Sequence, residues 1–165
     1  MRKSILVIAA VMLMACPVFA EGWGLGYMTD TAPIGLFYDM SETMTLNANV
    51  GYNSWDTETV GELETETAID ARLLFELVSG DRSGLHVAPG FTWTNGSYVE
   101  TDDGQTNFDI QLWLMANWDA TDNVTLWFGH GLNIMNDSPV VGESTTNYGT
   151  VGANSSNLGF TFWWN

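Results

Sequence analysis

Strict alternation of apolar and polar residues is the feature that most narrows what this chain can fold into. From Thr43 to Asn53, Met44, Leu46, Ala48, Val50 and Tyr52 take one set of alternate positions, and Thr45, Asn47, Asn49 and Gly51 take the other. Successive side chains of a β-strand point to opposite faces, so this run makes a strand with one apolar and one polar face. The pattern returns from Thr65 to Val78, where Ile69, Ala71, Leu73, Phe75 and Leu77 oppose Glu66, Asp70, Arg72 and Glu76. It recurs from Leu85 to Trp93, Thr106 to Trp118, Val124 to Ile134 and Leu158 to Trp164. Two shorter candidates come first, Trp23 to Tyr27 and Ile34 to Met40, with a tight turn at Asp30 to Pro33 between them. Helical periodicity is hard to find, and the chain reads as all-β with about eight strands.

The connections alternate in length. Asp39 to Glu42, Ser79 to Gly84 and Asp119 to Asn123 are short; Ser54 to Glu64, Asn95 to Gln105 and Asn136 to Asn147 are longer and rich in Thr, Asn, Asp and Gly. Within the second long segment, Asp102-Asp103-Gly104 reads as a hairpin tip and Asn95-Gly96 as a bulge. An even strand number, with short turns on one rim and long polar loops on the other, is the layout of an antiparallel up-and-down transmembrane β-barrel, its short turns and both termini on the periplasmic side.

The first twenty residues fit an export signal. Arg2 and Lys3 precede an apolar run from Ile5 to Met14, and Val18-Phe19-Ala20 supplies small residues for cleavage before Glu21. That run is too short to span a membrane as a helix. Residues 1–20 therefore read as a signal peptide and 21–165 as one barrel domain. A rival reading takes Leu13-Met14-Ala15-Cys16 as a lipobox, with Cys16 acylated. After cleavage at Ala20, the chain keeps only Arg72 and Arg82 against twenty carboxylates, a net charge of 2 − 20 = −18, and has no cysteine. Thiol chemistry is then absent, and so acidic a chain without a basic patch is a poor partner for nucleic acid.

Alternation alone leaves open which face points outward. A soluble barrel around an apolar ligand would bury the apolar face. Three features favour lipid outside. The polar set is mostly Thr, Asn, Gly and Ala, with no lysine after residue 3, whereas a soluble exterior is dense in mixed charge. The apolar set carries more bulk than an eight-stranded interior holds. With the first strand rising from the periplasm, Trp23, Tyr38, Trp118 and Trp164 fall near one interface and Tyr27, Tyr52, Trp93 and Phe108 near the other, as aromatic girdles do.

At this point the chain resembles the small outer-membrane barrels typified by outer membrane protein X and the membrane domain of outer membrane protein A. The resemblance rests on the export signal, the strand rhythm from Glu21 to Asn165 and the aromatic ending Gly159-Phe160-Thr161-Phe162-Trp163-Trp164. It implies an outer-membrane location, lipid as the surrounding partner, and reading of the last strand by the barrel-insertion machinery. In that family the final residue is usually aromatic; here Trp164 is penultimate and Asn165 follows.

The polar set also carries charge. Glu66, Asp70, Arg72, Glu76, His86 and Asp109 share the inward face and should form a hydrogen-bonded network, because a narrow lumen penalises unpaired charge. Pairing Leu77 with Leu85 puts Glu76 opposite His86 and Arg72 opposite Gly90. Pairing Trp118 with Val124 puts Trp113 opposite Gly129 and Met115 opposite Trp127, so that Trp113, Met115 and Trp127 plug the lumen. His130 falls on the apolar face. No Gly-x-Ser-x-Gly elbow is present, no nucleophile and base fall together, and the sequence implies no catalytic residue, cofactor or metal. The acidic segments Asp56 to Glu64, Glu100 to Asp103 and Asp137 to Glu143 offer oxygen ligands but lack the EF-hand spacing. These features point to a monomeric barrel with a structural or interaction role through its outer loops, whose partner is unknown. The alternatives are a narrow cation-leaning channel and a soluble periplasmic barrel that binds an apolar ligand.

Overall fold

The computed structural model describes residues 22–56, 63–98, 104–138, 145–151 and 157–164. Nine strands follow in order: β1 (Trp23–Met28), β2 (Ile34–Ser41), β3 (Met44–Ser54), β4 (Leu63–Ser79), β5 (Ser83–Tyr98), β6 (Gly104–Thr121), β7 (Val124–Ser138), β8 (Thr145–Val151) and β9 (Asn157–Trp164). Each pairs antiparallel with its chain neighbour from β1 to β8, and β9 pairs with both β7 and β1. The sheet therefore closes into a barrel of eight staves. The eighth stave is composite: β9 lies along the first half of β7 as far as Gly129, and β8 along the second half from Gly131.

Following paired residues from Tyr27 through Ile34, Val50, Ile69, Trp93 and Phe108 arrives at Asn136 on β7. The direct route through Phe160 arrives at Leu126, ten residues earlier. A stagger of that size over eight strands tilts them roughly 40° to the axis and leaves a bore that side chains fill. The wall is uneven: β4 to β7 have 15 to 18 residues, whereas β1, β2 and β9 have six to eight.

The alternation read from the sequence sorts into inside and outside. On β3, Asn47 and Asn49 are buried while Val50 is 54% exposed; on β6, Gln111, Trp113 and Met115 are buried while Ile110, Leu112 and Leu114 are about half exposed. Ile69, Phe91, Phe128, Leu132, Leu158 and Phe160 continue the outward apolar surface on neighbouring staves. These directions are opposite to those a soluble barrel around an apolar ligand requires.

Several local readings need correction. β5 runs through Asn95-Gly96 without a bulge, because β4 and β6 pair with it on both edges there and keep the ladder regular; the irregularity sits on β4, between Leu63 and Thr65. The segment Asn136 to Asn147 is not all loop. β7 continues to Ser138, and β8 opens at Thr145 with Thr146, Tyr148, Thr150 and Val151, which favour extended backbone without showing apolar alternation. The hairpin tip expected at Asp102-Asp103 lies outside the described residues, as do the export signal, the lipobox, most of Asp56 to Glu64 and Glu100 to Asp103, and 139–143 of the third acidic segment.

Registers shift at two turns. Val78, not Leu77, pairs with Leu85; a bulge between Glu76 and Val78 absorbs the difference, so Glu76 faces His86 and Arg72 faces Gly90. The β6–β7 connection tightens to a two-residue turn at Asp122-Asn123, with a bulge between Asp119 and Thr121. Trp118 consequently pairs with Leu126, Trp113 with Gly131 and Met115 with Gly129, which corrects the expected pairings with Val124, Gly129 and Trp127.

Candidate functional site

The period of two delivers one inward side chain per pair of residues, and the bore stacks them in three levels. The level toward the β1–β2 turn is an ionic cluster. Arg72 on β4, 1% exposed, pairs with Asp30 of that turn and with Asp70, whose Oδ1 lies 3.0 Å from Arg72 Nε. Asp70 also accepts hydrogen bonds from Asn49 Nδ2 and Thr92 Oγ1, each at 2.8 Å. Asn47 and Asn49 exchange amide hydrogen bonds, and Gln111 Nε2 donates to Thr92. Trp113 Nε1 donates to Gln111 Oε1 at 2.7 Å, and its ring lies under the Arg72 guanidinium. Gly90 permits this packing: a Cβ there would come within 2.7 Å of Arg72 Cγ and 2.6 Å of the Ala71 carbonyl oxygen. Asn157 also donates to Asp30, which ties the β1–β2 turn to β9.

The middle level is an apolar waist of Met28, Phe37, Leu74, Ala88, Trp113, Met115 and Trp127, all buried, with Trp163 packed against it. Phe37 stacks on Trp127 with ring centroids 5.7 Å apart, and Trp163 meets Phe37 edge-on at 6.1 Å. Each indole nitrogen here has an acceptor: Trp127 Nε1 donates to Thr161 and Trp163 Nε1 to Thr125, both at 2.9 Å. A Cβ on Gly131 would lie 3.1 Å from both Trp113 Cα and Cδ2, so the missing side chain leaves room for that indole.

The third level is the mouth on the rim of the short turns. His86 Nε2 lies 3.0 Å from Asn117 Oδ1, Asp119 accepts from Thr125 at 2.7 Å, and Asp39 accepts from Thr45 at 2.6 Å. The mouth holds a cavity of about 320 Å³ bounded by Asp39, Thr45, Glu76 and His86, with the β2–β3 turn along its edge.

The six polar residues expected to form one network thus occupy different levels. Asp70 and Arg72 lie at the centre of the ionic cluster. Asp109 is two residues from Gln111 on the same face of β6, and Glu66, nearer the far rim, accepts a 3.4 Å hydrogen bond from Asn53. Glu76 and His86 belong to the mouth, and fully buried Leu74, between Arg72 and Glu76 on the inward face of β4, separates the two levels. Sequence reading found Trp113, Met115 and Trp127 but missed Phe37, Met28, Leu74 and Asp30. The parity of β2 was the available signal for Phe37, which alternates with outward Leu36 and Tyr38; no local signal placed Asp30 against a residue 42 positions away.

The aromatic residues expected at the rims take the following places. Trp23 pairs with Tyr38 and Trp164, its ring stacked on Tyr38 at 4.4 Å, and half-exposed Trp118 lies on the same short-turn rim. Toward the other rim, Trp93 pairs with Phe108, and Tyr52 is 54% exposed near the end of β3. Tyr27 departs from the expectation: it is four residues from Trp23, about 13 Å along the strand, and stacks on Phe160 part-way up the wall. β1 turns back after Met28, too soon to carry it further.

Compared with known proteins, the sequence matches no family model and no curated protein. It is similar in structure to a major outer membrane protein from Thermus thermophilus, with 11% identity, 87% of this chain and 98% of that chain covered, and a TM-score of 0.49.

Proposed function

We propose that this chain is an outer-membrane β-barrel protein with a structural or interaction role carried by its outer loops, without catalysis and with a lumen closed to general diffusion. The observation that carries the membrane reading is the outward apolar surface. Large apolar side chains such as Ile110, Leu112, Leu114, Phe128, Leu132 and Ile134 are exposed on adjacent staves while asparagine, aspartate and arginine are buried inside. In water that arrangement exposes far more contiguous apolar area than a soluble monomer carries. In a bilayer it suits both solvents, because the strands of a closed wall pair their backbone groups with one another and the apolar face meets acyl chains.

The closed lumen rests on the waist. Phe37, Trp113, Met115 and Trp127 fill a bore only about one layer of side chains wide, their polar atoms committed to Gln111 and Thr161. The test is fractionation of the expressed precursor, followed by gel migration of the purified protein with and without heating in detergent. Recovery in the outer membrane with a heat-shifted band is expected. Recovery as a soluble protein without such a shift would overturn the reading.

A further inference from the structure

The outward face of β4 to β6 changes character at one row of residues. Below that row it is apolar: Ile69 pairs with Trp93, and Trp93 with Phe108. The next outward row is Thr67, Asn95 and Thr106, paired in that order, with Tyr52 of β3 beside Thr67; Thr65 and Ser97 follow above it. Thr67 and Thr106 are exposed. Side chains bond along both rows: Asn95 Nδ2 donates to Thr106 Oγ1 at 2.9 Å, and the hydroxyl oxygens of Thr65 and Ser97 lie 2.6 Å apart. The acids of the same stretch, Glu66 on β4 and Asp109 on β6, take inward positions.

The depth of this row follows from the strand geometry. Trp118, on the short-turn rim, and Phe108 take outward positions ten residues apart on β6. At about 3.3 Å per residue and a tilt of roughly 40°, they differ in height by about 25 Å, which is the thickness of the apolar band of an outer-membrane barrel. With Trp118 at one interface, Phe108 stands at the other. Thr67, Asn95 and Thr106 then begin where the hydrocarbon ends, on the lipid side of the wall and level with the headgroups of the outer leaflet.

Composition selects among headgroups. Of the chain's four lysines and arginines, the described residues include Arg72, inside the bore, and Arg82, at the turn before β5 on the opposite rim. Outward positions 65, 67, 95, 97 and 106 carry no cation to hold a phosphate and, in a chain with twenty carboxylates, no acid to hold an ammonium. They carry hydroxyls and an amide, which donate and accept without charge and so complement the hydroxyls of a sugar. We propose that this row binds the sugar headgroups of glycolipids in the outer leaflet, with Thr67, Asn95 and Thr106 bonding to the sugar hydroxyls just above Trp93 and Phe108. The proposal rests on the membrane reading above and adds to it the class of lipid that this face prefers.

The test reconstitutes the folded protein in phosphatidylcholine vesicles that carry equal minor amounts of digalactosyl diacylglycerol and phosphatidylglycerol. Gentle extraction into a polyoxyethylene detergent, which has no sugar of its own, is followed by native mass spectrometry of the lipids that stay bound. Retention of the galactolipid at several times its share of the vesicle is expected, with phosphatidylglycerol at no more than its share. Thr67→Val/Asn95→Leu/Thr106→Val should abolish the enrichment, and Thr106→Val alone should lower it; valine keeps the shape and strand preference of threonine, so the barrel still forms. Glu66→Gln, on the inward face between Thr65 and Thr67, should leave it unchanged. A wild type that fails to insert into the vesicles overturns the membrane reading and this proposal with it. A wild type that inserts, with a heat-shifted band, overturns the proposal alone if it retains the lipids in proportion, if phosphatidylglycerol is enriched equally, or if the triple variant keeps the galactolipid as wild type does.

Discussion

The guanidinium of Arg72 lies over the indole of Trp113, with Cζ 4.5 Å from the ring centroid, while Asp30 and Asp70 take its nitrogens. One cation thus joins the β1–β2 turn, β4 and β6 inside the bore. It also couples the ionic cluster to the apolar waist, because Trp113 belongs to both.

Removing that cation leaves Asp70 buried and short of a counter-charge. Arg72→Ala should destabilise the barrel by about 3–5 kcal/mol, the usual cost of breaking a buried pair from one side. Equilibrium urea unfolding in lipid vesicles, followed by tryptophan fluorescence, measures this. The double variant Asp70→Asn/Arg72→Met should recover part of the loss, since it leaves less uncompensated charge inside.

The outer face responds to the opposite chemistry. Leu112 is 49% exposed between Ile110 and Leu114, and Leu112→Arg should cost roughly 2–4 kcal/mol in vesicles. His130 is on the same face, paired with Leu114 and flanked by Phe128 and Leu132. His130→Leu should raise stability in the same assay, whereas equal stability of wild type and both variants would speak against lipid at this surface.

The waist makes a prediction about conduction. Wild-type protein in planar bilayers should show no sustained conductance, and Trp113→Ala/Trp127→Ala should introduce one with cation preference, given the acids at the mouth. Steady current through the wild type would favour the narrow-channel reading instead.

Gly131 has a steric reason for its identity. Gly131→Ala places a methyl group 2.6 Å from the Leu112 carbonyl oxygen and 3.1 Å from Trp113, which must shift. A loss of about 1–3 kcal/mol is expected from such overpacking, read from urea midpoints.

Much of the fold was legible because alternation is a local property. Asn47 and Asn49 against Ala48 and Val50 gave β3 its two faces, and the same parity placed Arg72, Trp113 and Trp127 inward. Register was less legible, because it depends on bulges: the one between Asp119 and Thr121 moved Trp113 from Gly129 to Gly131. β8 was hidden for a different reason. Its Thr-rich segment lacks an apolar face and is set out as a strand by pairing with β7. The site was legible in its strand residues and opaque where a turn folds inward, as with Asp30, since no periodicity links it to Arg72.

The wall of this barrel closes on itself, so its circumference cannot be adjusted one hydrogen bond at a time; widening it means parting a whole seam. Alternate residues along each strand therefore evolve under separate constraints. A lineage can redraw the interior, exchanging Phe37 or Trp127 for smaller groups, while Leu36, Tyr38, Leu126 and Phe128 go on answering to the surroundings. Such exchanges cost packing inside the bore, yet they leave the outward face of the same strands as it was.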